Sequence, residues 1–171
     1  YAETQQMPES SAGRVVLSGN PVRASVQGLA QMPYPELEEG GILRLLVIGG
    51  SQGASVFSDV VPAAMALLPE GLRARIRLDQ QCRAGEIEAV RAKYDALGMQ
   101  VDLAPFFTDM AARLGAAHLV ISRAGASSVA ELMVAGLLPE MSADLGVSTS
   151  RAGAVRQNPA STFRNSFQCA T

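Results

Sequence analysis

The stretch from Leu43 to Ser55 constrains the fold of this chain more than any other part of its sequence. Its first half, Leu-Arg-Leu-Leu-Val-Ile, is an apolar run typical of a buried parallel strand. Two glycines, Gly49 and Gly50, end that run, and a helical pattern begins at Ser55. A strand, a glycine turn and a helix start in this order predict an anion site. The turn exposes backbone N–H groups, and the helix N-terminus carries about half a positive charge.

The glycine turn has two interpretations. Gly49, Gly50 and Gly53 permit positive φ and let a phosphate approach the backbone, while Ser51 adds a hydroxyl donor. However, the spacing matches neither the P-loop nor the G-x-G-x-x-G fingerprint. A turn that needs glycine only for packing therefore stays open as an alternative at this point.

The composition excludes several classes of function. The 171 residues, 48% hydrophobic and 18% charged, suit a globular α/β domain or half of a two-domain enzyme. A formal net charge of -2 argues against a nucleic-acid partner. No apolar run reaches the roughly 20 residues of a spanning helix, so contact with a membrane is expected to be peripheral at most.

The cysteines and the first residue lead to two further expectations. Cys82 and Cys169 lie far apart, so we expect reduced thiols rather than a disulfide framework. No metal-ligand spacing surrounds them, and neither a metal nor a cofactor is predicted. The chain begins at Tyr1 rather than Met, which suggests a fragment or a processed product.

Strand and helix patterns alternate along the chain, which predicts an α/β fold with a Rossmann-like parallel sheet. The segment before residue 42 is expected to be a linker region, apart from a short strand at 15–17. The predicted strands are 43–48, 73–78, 101–104 and 118–122, and the predicted helices are 55–68, 85–97, one capped by Thr108, and 125–134.

Three segments are predicted to meet outside the carboxyl ends of these strands, where such sheets bind ligands: 49–54, 105–109 and 122–131. A phenylalanine, Phe106 or Phe107, can flank a flat base, and Glu131 can accept hydrogen bonds from two ribose hydroxyls. Together with the glycine turn, these groups indicate a nucleotide. The structural alternative is that both phenylalanines belong to the core.

Other polar residues carry weaker signals. Arg23 is either a phosphate clamp or a solvated surface residue, and the second interpretation is favoured by the exposure of most arginines. Arg123 either pairs with a carboxylate or stays solvated, and His118 is expected to be structural. At the end of the second strand, Asp79, Gln80 and Gln81 are weak candidates for ligand contact. Three methionines, Met65, Met110 and Met133, are expected in the core.

Four motifs carry a resemblance to a known family. They are Gly19–Arg23 (GNPVR), Gly49–Ala54 (GGSQGA), Ala104–Met110 (APFFTDM) and Arg123–Glu131 (RAGASSVAE). In this order and spacing, over residues 15 to 136, the sequence resembles MurG, the peptidoglycan N-acetylglucosaminyltransferase family.

The resemblance implies the C-terminal, donor half of a GT-B glycosyltransferase. Such enzymes transfer GlcNAc from UDP-GlcNAc to lipid I, making lipid II at the cytoplasmic face of the bacterial inner membrane. The chain would therefore be cytoplasmic or peripheral on that face. The family's N-terminal domain, which would bind lipid I, is absent from these residues, so no general base is predicted and the isolated chain is expected to be inactive.

The same resemblance implies the binding residues. Arg23 and Ser51 would contact the diphosphate, Phe107 would read the uracil partly through its backbone, and Glu131 would bind the ribose. The full implied UDP-GlcNAc site is Arg23, Gly50, Ser51, Gln52, Gly53, Phe107, Ala126, Ser127, Ser128 and Glu131.

The sequence departs from the family after Gly136. Three regions are therefore predicted: 1–41, an interdomain strand and linker region with the GNPVR motif; 42–136, a partial UDP-sugar-binding domain; and 137–171, an unrecognised, disordered tail. The sheet would be incomplete at its C-terminal end, with an open edge and marginal stability. Two other functions remain alternatives: a non-catalytic UDP-sugar-binding or regulatory fragment, and a dinucleotide-dependent oxidoreductase, which the glycine pattern disfavours.

Overall fold

A computed structural model describes residues 20–50, 55–142 and 147–151 of the chain. Within these ranges six strands form one sheet in the order β3-β2-β1-β4-β6-β5. Strand β1 pairs in parallel with β2 and β4, and β2 pairs in parallel with β3. The strands are β1 Leu43–Ile48, β2 Ile76–Gln81, β3 Val101–Ala104, β4 Leu119–Arg123, β5 Leu138–Ser142 and β6 Val147–Arg151. The predicted Rossmann-like parallel sheet is confirmed for β1 to β4.

Helices of the described ranges follow the strands and cover both faces of the sheet. They are α1 Ala24–Gln27, α2 Ser55–Ala66, α3 Glu70–Arg73, α4 Ile87–Asp95, α5 Met110–Ala116 and α6 Ala126–Val134. The 3₁₀ turn Gly28–Gln31 follows α1, and the 3₁₀ turn Ala84–Glu86 precedes α4. The sequence winds from β1 to β2 and β3 on one side, and β4 then lies on the other side of β1. The crevice between β1 and β4 is therefore the topological switch point.

Each face of β1 contributes to a different core because successive side chains point to opposite faces of a strand. Leu45 and Val47 pack with residues of α2 and α4, among them Tyr94. Leu46 and Ile48 pack with residues of α1, α5 and α6. The continuous apolar run of β1 thus reflects burial on both faces.

Several predicted boundaries differ from the structure. The second strand begins at Ile76 rather than Arg73, because Pro69 precedes the short helix α3, which takes up residues 70–73. Asp109, not Thr108, occupies the N-cap position of α5. The predicted strand at 15–17 lies outside the described residues.

The prediction of a disordered, strandless tail is wrong for the segments 138–142 and 147–151. Strand β6 pairs antiparallel with β4 and with β5, so the edge of β4 that was expected to be open is paired. The prediction rested on the absence of an apolar run, but ladder hydrogen bonds join backbone groups and do not require one. Residues 143–146 and 152–171 lie outside the described residues.

A proline inside α2 creates a local need for a hydrogen-bond donor. Pro62 has no N–H, so the carbonyl of Ser58, four residues earlier, lacks its usual helical partner. Lys93 of α4 supplies a donor: its Nζ lies 3.0 Å from the Ser58 oxygen and 2.6 Å from Oδ1 of Asp59. The start of α2 is thereby joined to α4.

Replacing Lys93 by methionine is expected to lower the free energy of unfolding by about 1 kcal/mol, because the Ser58 carbonyl loses its donor. In a Pro62→Ala background the loss should shrink, since alanine restores the helical N–H. Urea denaturation followed by circular dichroism measures both values. Asp59→Ala is the control, because it removes the exposed partner of Lys93 and leaves the bond to Ser58. Equal losses in the two backgrounds would contradict this account.

Candidate functional site

A cleft of about 520 Å³ lies beside the carboxyl end of β1, next to the topological switch point. This volume falls within the range of small-molecule sites. Its walls come from the segment before α1, the end of β1, the end of β2, the loop before α5 and the start of α6. The lining residues are Pro21, Val22, Arg23, Ile48, Gly50, Gln81, Phe106, Met110, Ser127, Ser128 and Glu131. The predicted convergence of distant segments at this edge is therefore observed.

The glycine turn after β1 forms one wall of the cleft. Gly50 has φ +76°, a backbone angle that residues with a Cβ rarely adopt. A Cβ added at this position would meet no atom within 4 Å. Backbone conformation, rather than crowding, therefore requires glycine at this position. The predicted site residues Ser51, Gln52 and Gly53 lie outside the described residues.

Arg23 and Glu131 form a bidentate ion pair in the cleft. Arg23 Nε donates to Oε1 and Arg23 Nη2 donates to Oε2, each at 2.6 Å. The Arg23 side chain is 47% exposed and that of Glu131 only 15% exposed. The hydrogen bond with Glu131 raises the pKa of Arg23, so the guanidinium stays charged. Arg23 is thus paired with a carboxylate, which differs from the alternative of a merely solvated surface arginine.

The residue types explain how this pair keeps binding capacity. Two charge-assisted bonds use two of the five N–H groups of Arg23 and one lone pair on each oxygen of Glu131. Arg23 therefore retains donors for an anion, and Glu131 retains acceptors for hydroxyl groups. The pair presents both kinds of partner to one ligand.

A second contact fixes the GNPVR segment along α6. Asn20 Nδ2 donates to the Ala126 carbonyl at 2.8 Å, and Arg23 reaches Glu131 further along the same helix. Sequence reasoning placed Asn20 in the GNPVR motif but did not predict this contact. Helix α6 begins after Gly125, and the predicted site residues Ala126, Ser127 and Ser128 form its first turn. The first N–H groups of a helix have no partner within it, so this turn offers donors beside the cleft.

The two phenylalanines have opposite environments. Phe107 is 3% exposed and belongs to the core that contains Met110 and Leu114, with Arg113 stacked 4.0 Å from the ring centroid. Phe106 is 62% exposed and lines the cleft. The ring of Phe107 is buried in this structure, and the expectation that Phe107 reads the uracil, partly through its backbone, stays a prediction. Among the described residues that line the cleft, Phe106 is the aromatic one.

Among the weaker candidate residues, some line the cleft and others make structural contacts. Gln81 lines the cleft, whereas Asp79 pairs with Arg113 at 2.9 Å, and Gln80 bonds the carbonyl of Phe57 inside the core. His118 is structural: its Nδ1 accepts from the backbone N–H of Arg44 at 2.9 Å. Arg123 lies exposed beside a separate cavity of about 270 Å³, next to Gly49 and Gly125.

The sulfur-containing residues also differ in part from expectation. Met65 and Met110 are buried as predicted, but Met133 is half exposed on α6 and is not core filler. Cys82 is a buried free thiol whose pKa is raised by burial. Cys169 lies outside the described residues, so the expected state of that thiol stays a prediction.

The described residues contain neither a metal-binding cluster nor a membrane-spanning helix. Across 20–50, 55–142 and 147–151, acidic, histidine and cysteine side chains form no group of three or more that is placed to hold a metal ion. Nor does any helix in this part of the chain have the length and apolar character needed to cross a bilayer.

A parallel sheet with helices on both faces and a cleft at its switch point defines the chain as a Rossmann-like α/β domain. Residues 44–139, more than half of the chain, match the model of the Glycosyltransferase family 28 C-terminal domain, and the chain belongs to this family. The family resemblance seen in the four motifs is thereby confirmed.

Relatives and a solved structure agree with this family. The chain is 49% identical, over 80% of its length, to the UDP-N-acetylglucosamine--N-acetylmuramyl-(pentapeptide) pyrophosphoryl-undecaprenol N-acetylglucosamine transferase of Methylorubrum populi, and covers 37% of that protein. It is 52% identical, again over 80% of its length, to the transferase of the same name from Granulibacter bethesdensis, and covers 35% of it. The chain thus spans about a third of the length of these curated relatives.

The fold also matches the crystal structure of Acinetobacter baumannii MurG. The TM-score is 0.53 with 28% sequence identity, over 65% of this chain and 34% of that chain. This agreement supports the expected fold class, the C-terminal half of a GT-B architecture.

Proposed function

We propose that this chain is the donor-binding part of a glycosyltransferase that moves GlcNAc from UDP-GlcNAc to lipid I, making lipid II for peptidoglycan synthesis. The names of its relatives support this activity, and the cleft supports the donor-binding role. The observation that carries the proposal is the Arg23–Glu131 pair, which places anion donors and hydroxyl acceptors in one cleft beside a glycine turn. UDP carries both an anionic diphosphate and a ribose diol.

The diphosphate would lie against the glycine turn. Gly50 has the positive φ of a turn, and the next residues, Ser51, Gln52 and Gly53, lead into α2. Their backbone N–H groups and the start of α2 are proposed to bind the phosphates, since helix N-termini favour anions. Arg23 would contribute its remaining N–H donors.

The nucleoside would extend from the diphosphate along α6. Glu131 is proposed to accept hydrogen bonds from both ribose hydroxyls through its free lone pairs. Phe106 would pack on the uracil, and the backbone of Phe107 would provide the hydrogen bonds that distinguish the base. Ala126, Ser127 and Ser128 would line this part of the pocket.

These groups suggest how the chain would assist the transfer. When GlcNAc leaves UDP, negative charge grows on the diphosphate, and donors already in place stabilise it without reorganisation. We assign no general base to this chain and propose that lipid I binds to a domain outside residues 1–171. The domain division also remains a proposal: 1–41 as the connecting region, 42–136 as the UDP-sugar domain, and 137–171 as a region outside the family pattern. Peripheral association with the cytoplasmic face of the bacterial inner membrane follows from the lipid substrate.

Calorimetric titration of the chain with UDP, UDP-GlcNAc and NAD tests this function. We expect UDP and UDP-GlcNAc to bind and NAD not to bind. Arg23→Ala should weaken UDP binding by about tenfold or more, because a charge-assisted bond contributes about 1.5–3 kcal/mol. Arg44→Ala is the matched control, since Arg44 is exposed at the opposite end of β1.

Two results would contradict the proposal: no binding of UDP by the wild-type chain, or binding of NAD as tight as that of UDP. Adding the N-terminal domain of a relative distinguishes the catalytic function from its alternative. Restored GlcNAc transfer would support a donor half of an enzyme, whereas UDP binding without transfer would support a non-catalytic UDP-sugar-binding fragment.

A further inference from the structure

One arginine of α5 joins the N-terminal end of that helix to two strands of the sheet. Arg113 Nε donates to Asp109 Oδ1 at 2.9 Å, one helical turn earlier in the chain. Its Nη1 lies 2.9 Å from Oδ2 of Asp79, on β2, and 2.7 Å from Oδ2 of Asp102, on β3. Because Asp79 and Asp102 are register partners in neighbouring strands, the guanidinium is held against the sheet from three sides.

The same guanidinium covers the ring of Phe107. Arg113 Cζ lies 4.0 Å from the ring centroid, which is within the range of a cation–π contact. The ring also belongs to the core that contains Met110 and Leu114. It is therefore enclosed between that core and a planar cation whose orientation the three carboxylates set.

A ring held in this way fixes the backbone beside the cleft. Ala104 ends β3 and Met110 begins α5, so only residues 105–109 connect these two elements. In this loop Phe106 lines the cleft, and its Cα is about 3.8 Å from that of Phe107. The place of Phe106 and the directions of the Phe107 N–H and C=O groups therefore depend on how the Phe107 ring is held.

We infer that Arg113 is a positioning residue for recognition of the nucleotide base, acting through its contact with the Phe107 ring. The inference rests on the proposed function, in which Phe106 packs on the uracil and the backbone of Phe107 bonds its edge. Arg113 lines a separate cavity of about 330 Å³ and not the cleft, so it acts on the base only through the loop.

The charge of Arg113 does not account for such a role. Three carboxylates surround one guanidinium, so the group as a whole is negative and would not attract a diphosphate. The guanidinium instead supplies a rigid plane, which stacks on a ring while the N–H groups at its edge bond to carboxylates. Lysine has a positive charge but no such plane.

Two substitutions test the contact from its two sides. Arg113→Lys keeps a positive charge among the carboxylates and removes the plane that covers the ring. Phe107→Leu keeps an apolar side chain in the core and removes the aromatic face under Arg113. Asp102→Asn is the matched control, because it changes a half-exposed member of the cluster while Asp79 and Asp109 still hold Arg113.

UDP and CDP are the matched ligands. They share the ribose and the diphosphate, and either base can stack on an aromatic ring. They differ at the edge of the base, where uracil presents an oxygen acceptor and cytosine an amino donor. The ratio of UDP affinity to CDP affinity therefore measures recognition of that edge.

The experiment is a calorimetric titration of the full 171-residue chain and its variants with both ligands. We expect the wild-type chain to bind UDP about tenfold or more tightly than CDP. Arg113→Lys and Phe107→Leu should each lower this ratio by about fivefold, through weaker UDP binding. The double variant should lose no more than the larger single loss, because both changes remove one contact. Asp102→Asn should keep the ratio within about twofold of wild type.

These measurements separate positioning from a general structural role. A variant that is partly unfolded shows fewer binding sites, whereas the affinity ratio of the folded molecules is unaffected. An unchanged ratio in Arg113→Lys or Phe107→Leu, with both affinities kept or both lowered equally, would overturn the inference. Additive losses in the double variant, or a loss in Asp102→Asn as large as in Arg113→Lys, would also overturn it.

The wild-type chain distinguishes failure of the inference from failure of the proposed function. Equal binding of UDP and CDP would overturn the inference and leave UDP binding intact. A chain that does not bind UDP would refute the proposed function, and the inference with it.

Discussion

Replacing Glu131 by alanine is expected to weaken UDP binding by about ten- to a hundredfold. Hydrogen bonds to a charged group contribute about 1.5–3 kcal/mol, and here one carboxylate is proposed to accept from two ribose hydroxyls. The change also removes both partners of the Arg23 guanidinium, which then loses its fixed orientation in the cleft. The loss of the ribose acceptors and the loss of the Arg23 orientation are both expected to weaken UDP binding.

Two comparisons make this prediction specific. The 2′-deoxy form of UDP should bind more weakly than UDP to the wild-type chain, but nearly as well as UDP to Glu131→Ala, because the acceptor for that hydroxyl is gone. The free energy of unfolding should change by less than about 1 kcal/mol, since ion pairs with an exposed partner contribute little to stability. An unchanged UDP affinity in Glu131→Ala would exclude Glu131 from the site.

The second large effect is expected in the core. Leu46→Ala should lower the free energy of unfolding by about 2–5 kcal/mol, the range for a buried leucine whose removal leaves a cavity. Leu46 is 1% exposed in the middle of β1, between β2 and β4, and packs in the core that also contains Val120. A strand paired on both sides cannot shift easily to fill the space.

Leu67→Ala is the matched control for this prediction. It makes the same chemical change at a leucine that is 86% exposed, just after α2. We expect a change within about 0.5 kcal/mol, as for most surface substitutions. Chemical denaturation of both variants measures the difference. Similar losses at the two positions would mean that β1 is not the centre of the fold.

The segment 43–55 shows what local pattern can determine. An apolar run without charged interruption after Arg44 predicts a strand buried on both faces, and the glycine pair predicts a positive φ that Gly50 has. The helix start at Ser55 was also predicted correctly. These features depend on residues close together in the chain, so periodicity and turn chemistry are sufficient.

The two phenylalanines mark the limit of that reasoning. Phe106 and Phe107 are adjacent and chemically identical, so composition and spacing cannot decide which ring is buried. The answer depends on the direction in which the loop leaves β3 and on Arg113, which stacks on Phe107 from α5. Only packing between elements supplies that information.

Thus the sequence by itself determined the order of strands β1 to β4 and of the helices α2, α4, α5 and α6 between and after them, the glycine turn after β1, and the edge of the sheet where polar and aromatic residues gather. The tertiary structure alone decided that Arg23 and Glu131, 108 positions apart, pair in one cleft, that Arg113 covers the ring of Phe107, and that β6 covers the edge of β4. The physical reason is the separation along the chain over which each kind of interaction acts. Backbone preferences act between near neighbours, whereas the partner of a side chain is chosen by whichever distant element folding brings beside it.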